Sequence, residues 1–170
     1  MKHSNSPLRR LVTTGLAAAS MAIGTAAMAA DPPDFSIEFP AGVACSNFAL
    51  KVDLWEGKGR VRELKDKNGN LRSLFAGTGS AFRFTNTLNG KSTSTKNNGA
   101  SSMTTTYTLD GSQKVDIHGH VLIVWFPSDI PAGPFTSYHI GHLVYNLSPV
   151  GVGTLVSMNG NSTDICAALS

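Results

Sequence analysis

Gln113-Lys114-Val115-Asp116-Ile117-His118-Gly119-His120-Val121-Leu122-Ile123-Val124-Trp125-Phe126 decides the fold. Its odd positions are Val115, Ile117, Gly119, Val121, Ile123 and Trp125, an apolar face throughout. Its even positions begin polar at Lys114, Asp116, His118 and His120, and end apolar at Leu122, Val124 and Phe126. Successive side chains of a strand point to opposite faces. The pattern therefore predicts one long strand that passes from a half-exposed region to one covered on both faces.

Downstream, Pro127-Ser128-Asp129-Ile130-Pro131-Ala132-Gly133-Pro134 cannot continue a central strand, because its prolines lack the ladder donor. It reads as a loop, followed by strands at about 136–147 and 152–158 and a tail from Ser162 that carries Cys166. Upstream, Ala81-Phe82-Arg83-Phe84-Thr85 alternates aromatic with polar, and Met103 to Leu109 sets its odd positions against Thr104, Thr106 and Thr108. Turn signals punctuate the chain at Glu56-Gly57-Lys58-Gly59, Lys67-Asn68-Gly69-Asn70, Gly77-Thr78-Gly79, Asn89-Gly90, Asn98-Gly99 and Asp110-Gly111. Such pairs tolerate the positive φ of tight hairpins, so each marks a strand reversal. The polar tract Asn86 to Thr106 reads as hairpins rather than a disordered stretch.

The expected fold is all-β: an antiparallel meander of about eight or nine strands, an up-and-down barrel favoured over a sandwich because closure removes sticky edges. One domain at 48–170 follows an extended leader at 30–47 that holds Cys45. Residues 1–29 read as a helical signal peptide: Lys2, Arg9 and Arg10, then an uncharged Ala-rich stretch, then Ala27-Met28-Ala29 as a cleavage site. The stretch lacks the sustained Leu/Ile/Val of a spanning helix, so no membrane span is expected after cleavage. The expected address is extracellular, through the general secretory route.

The whole chain of 170 residues carries 14 Lys+Arg against 11 Asp+Glu. The three basic residues of the signal meet no acid there, so the remainder balances at 11 of each. Balance disfavours a nucleic-acid partner, which phosphate electrostatics would hold through a basic excess. The two cysteines, Cys45 and Cys166, read as a disulfide in an oxidising compartment, with two buried thiols as the alternative.

Catalytic templates fail. No G-x-S-x-G occurs, the short Gly runs lack the third glycine of a phosphate loop, and the acids lie scattered beside turns. Four histidines remain outside the signal. His118 and His120 share a strand face, and pairing across the 127–135 loop with partner numbers summing to about 262 sets His142 beside His120. His118, His120 and His142 are thus a candidate His₃ metal site, with Asp116 on the same face as its outer support, and His139 falls on the opposite face beside Ile123. Phe82, Phe84, Trp125, Tyr138 and Tyr145 are candidates to line a small apolar cavity.

Three segments carry a resemblance: Phe39-Pro40-Ala41-Gly42-Val43-Ala44-Cys45, the 127–134 loop, and Ser162-Thr163-Asp164-Ile165-Cys166-Ala167-Ala168-Leu169. Over nearly all of the mature chain, it resembles a family of small secreted actinobacterial hypothetical proteins of unknown function, two-Cys and all-β. The resemblance implies export and the disulfide, and brings no catalytic residue with it. The resulting expectation is a secreted non-catalytic protein that binds a small apolar ligand or an envelope component, without a cofactor. The alternatives are a barrel enzyme of the cyclase or isomerase type and a histidine-based metal binder.

Overall fold

The computed structural model describes residues 31–96 and 99–170. The expected signal peptide at 1–29 lies outside them, as does Asn98 of one turn signal. Pro32–Ser170 forms one compact unit. In chain order its elements are β1 (Phe35–Phe39), β2 (Leu50–Trp55), β3 (Gly59–Lys65), β4 (Leu71–Thr78), β5 (Ala81–Asn86), β6 (Ser92–Ser94), β7 (Ala100–Tyr107), β8 (Gln113–Trp125), β9 (Phe135–Leu147), β10 (Gly153–Asp164) and the short helix α1 (Ile165–Leu169).

The ten strands form two antiparallel sheets among the described residues: β1-β2-β5-β6 and β10-β9-β8-β7-β4-β3. They do not close into a barrel, which corrects the favoured expectation. The reason lies in Glu56–Gly59 and Gly77–Gly79. These segments read as reversals, but the chain crosses from one sheet to the other there: β2 pairs with β5 and β3 with β4, while β2 and β3 are not partners. One long hairpin, reversing at Lys67–Asn70, is thus divided between two sheets. Gly69, Gly90, Gly111 and Gly151 hold positive φ at true turns, whereas Gly57, Gly59, Gly77 and Gly79 do not. The crossing glycines serve close approach instead. Gly59 and Gly77 are partners, and a Cβ on Gly77 would collide with the carbonyl oxygen of Lys58.

A second bend lies in the long strands. Gly119, Gly141 and Gly160 are aligned across β8, β9 and β10. Ten residues of straight strand span about 33 Å. Yet Trp125 lines one pocket with Tyr145, whose partner on β8 is Val115. The sheet therefore curls back at the glycine row. Inside the curl Val115, Ile117, Ile123, Trp125 and Leu143 form one core, the odd-numbered apolar face. On the outer face, Leu122, Val124 and Tyr138 pack on Leu50, Val52, Phe82 and Phe84 of the smaller sheet as a second core. The even positions 114–118, beyond the smaller sheet, are left polar. This is the change of character along β8 that the sequence displays.

The expected leader contributes β1, and the tail contributes α1, capped by Asp164, whose carboxylate accepts from the Ala167 N–H at 2.9 Å. Ile165 and Leu169 are buried in the second core. Cys45 and Cys166 form a disulfide with Cα atoms 5.6 Å apart, joining the segment after β1 to α1. The 126–134 loop is pinned by buried Asp129, which accepts from Phe126 N–H at 2.7 Å and Gly153 N–H at 2.8 Å. No helix of the described residues is long and apolar enough to cross a membrane.

Candidate functional site

Where the two sheets part, beside Gly79 and His120, a cleft of about 570 Å³ opens. β2 and β5 supply Leu54 and Phe82 on one side, β4 supplies Phe75, and β8 supplies His120 and Leu122 on the other. Glu56, Ser80 and Ser101 add polar groups at its rim. Its volume falls within the range of small-ligand sites, and it stands open to solvent with apolar walls and a few polar groups. The divergence of the sheets at the sheet-crossing glycines creates this space.

His120 is held from beneath. Its Nδ1 lies 2.8 Å from the Tyr138 hydroxyl, and Tyr138 is nearly buried against Phe82. Burial pushes the Tyr138 pKa above its usual value, partly opposed by a hydrogen bond from the Thr95 side chain. Thr95 Oγ1 also accepts from the Phe82 N–H at 3.1 Å. With Thr95 donating to the phenol, the Tyr138 proton is free for His120 Nδ1. In that arrangement the imidazole accepts at Nδ1 and carries its proton on Nε2. Gly99 makes room for that edge, since a Cβ there would collide with Nε2.

The expected His₃ set divides. His118 faces His142, and His120 faces Ile140, a register two residues from the one expected. His120 lies beyond the bend, in the cleft. Asp116, expected as outer support, takes its place: its Oδ1 is 3.3 Å from His118 Nε2 and 3.0 Å from His142 Nε2. His139 lies on the opposite face, next to Val121 rather than Ile123, and is buried with Nε2 donating to the Asn159 carbonyl at 3.2 Å.

The five aromatic candidates divide as well. Phe82, Phe84 and Tyr138 lie in the core between the sheets, while Trp125 and Tyr145 lie in the curl of the larger sheet, beside a smaller pocket of about 210 Å³. Of the five, Phe82 lines the cleft. Phe75 and Glu56 escaped the sequence reading because their placement depends on the crossing of the hairpin between sheets, which local pattern does not encode. No family model matches the chain, and neither a curated protein nor a solved structure matches it.

Proposed function

We propose that this is a secreted, non-catalytic binding protein that holds a small, largely apolar molecule or envelope component in the cleft beside His120. The observation that carries the reading is the cleft itself: apolar walls from both sheets and one histidine held by a tyrosine hydroxyl. The preferred ligand has an apolar body and one polar group within reach of the His120 ring. Export belongs to the same proposal. It rests on the character of residues 1–29 and on the resemblance to secreted two-Cys proteins, and the disulfide fits it.

The Tyr138–His120 pair supports a second reading, a cyclase or isomerase in which His120 moves a proton within the cleft. Two groups in hydrogen-bond reach are the minimum such chemistry needs.

Native mass spectrometry of the protein from its own culture medium, followed by titration with an apolar fluorescent probe, tests the binder. Retained extra mass or saturable probe binding is expected. Ser101→Phe, which fills the cleft, should abolish it. His120→Phe should weaken a ligand with that polar group about three- to tenfold, the worth of one hydrogen bond. A bare mass together with probe binding unaltered by Ser101→Phe sinks the proposal.

A further inference from the structure

We propose that Asp116, His118 and His142 form a site for one divalent transition-metal ion of the zinc or copper kind. Secondary structure alone places the three residues together. Asp116 and His118 are two apart on β8 and share its outer face, and His142 is the direct cross-strand partner of His118. The two imidazoles are stacked, with ring centres 4.1 Å apart and planes within 3°. Their donor nitrogens and the carboxylate oxygen all lie within 4.8 Å of one another.

The spacing suits the chemistry. Donors on a tetrahedral ion stand about 3.3 Å apart, given bonds of about 2.0–2.1 Å. The two histidine-to-carboxylate separations, 3.3 and 3.0 Å, are close to that edge, and the parallel rings must tilt for both Nε2 lone pairs to meet one ion. An ion entering here replaces the protons shared between the Nε2 atoms and the carboxylate. Each imidazole then carries its remaining proton on Nδ1.

Two imidazoles with one carboxylate favour zinc, copper or nickel over calcium and magnesium, which take oxygen donors. The His118 side chain is 62% exposed and that of Asp116 37%. The ion therefore enters from solvent, and three protein donors leave a position open to water. The site lies on the polar outer face of β8 and β9, on the other side of the Gly119–Gly141 row from the cleft, so it is independent of the ligand-binding proposal.

Calorimetric titration of the disulfide-bonded protein with Zn²⁺ and Cu²⁺, with Ca²⁺ as control, tests the site. One saturable equivalent of the transition metal is expected, with no response to Ca²⁺. His118→Ala, His142→Ala and Asp116→Ala should each weaken it by about tenfold or more, since even outer partners of metal ligands are worth about 10–100-fold. His120→Ala should leave it unchanged. On the wild-type chain, the ring signals of His118 and His142 should move in NMR with the first equivalent while those of His139 stay, a readout independent of any variant's folding. Absence of a saturable equivalent, wild-type affinity in a His118→Ala/His142→Ala variant, or movement of the His120 signals in place of these overturns the proposal.

Discussion

Gly119 and Gly141 face each other across β8 and β9, and both hold positive φ, 105° and 153°. A Cβ on Gly119 would collide with the carbonyl oxygen of Ala100, and one on Gly141 with that of Asn159. The pair lets the sheet curl without breaking its ladder, and the curl brings Trp125 towards Tyr145. The two candidate sites lie on either side of this line, the cleft histidine on one and the Asp116–His118–His142 group on the other.

Gly119→Ala and Gly141→Ala should therefore each destabilise the fold by at least about 1–3 kcal/mol, the cost of unfavourable backbone, with the collision added. Gly69→Ala is the control, because it shares the positive φ at a turn but meets nothing within 4 Å. It should lose only about 1 kcal/mol. Urea unfolding of the three variants gives the order, and equal losses in all three would remove the role assigned to close packing.

How far the sequence could be read follows from the same residues. The alternation along Gln113–Phe126 foretold a long strand with an exposed start and a doubly covered end, because period-two patterning reports burial directly. The disulfide was legible from the cysteine count. The barrel was not correct, because glycine-rich segments look alike whether they reverse a strand or let it cross between sheets. Lys67–Asn70 reverses the chain with a positive φ at Gly69, whereas Gly77 and Gly79 do not need one. Which side chains share the outer face of β8 and β9 was legible, but not which of them meet. A register slip of two keeps every side chain on its face and changes which ones meet, so His142 found His118 rather than His120.

Opening the Cys45–Cys166 bridge releases a loop spanning 121 residues. A Cys45→Ser/Cys166→Ser double variant should lose about 5 kcal/mol of stability in the chain-entropy view, minus any native strain relieved. The urea midpoint, compared under oxidising conditions, measures it. An unchanged midpoint would mean that α1 is held by Ile165 and Leu169 alone.

Asp53 ties the smaller sheet together through a buried carboxylate. It is buried and faces Ser36 on β1 at 2.7 Å, the guanidinium of Arg83 on β5 at 2.9 Å and Lys51 at 3.2 Å. Burial pushes its pKa up, but the hydrogen bonds from Ser36, Arg83 and Lys51 outweigh this and hold it below the usual carboxylate value. A depressed pKa contributes stability that is fully present above the unfolded value of about 3.9 and is lost as pH falls through the folded one. Wild type should therefore exceed Asp53→Asn in stability at pH 7, and the gap should close below about pH 4. Thermal melts from pH 7 to pH 3 give the comparison, and a gap independent of pH would show that packing rather than charge matters at this position.

Tyr138 and His120 supply the sharpest test of the cleft. If the phenol receives its hydrogen bond from Thr95 and donates to Nδ1, the His120 ring is the Nε2–H tautomer, and its two ring nitrogens give separate ¹⁵N signals of the protonated and bare types. Tyr138→Phe removes that donor at 2.8 Å. The variant's ring should relax towards a mixture of tautomers, and stability should fall by about 1 kcal/mol for the lost hydrogen bond. A wild-type spectrum with the proton on Nδ1 would reverse the chain of donors. His120 would then present a bare nitrogen to the cleft, and the preferred ligand would be one that carries a hydroxyl or amide donor.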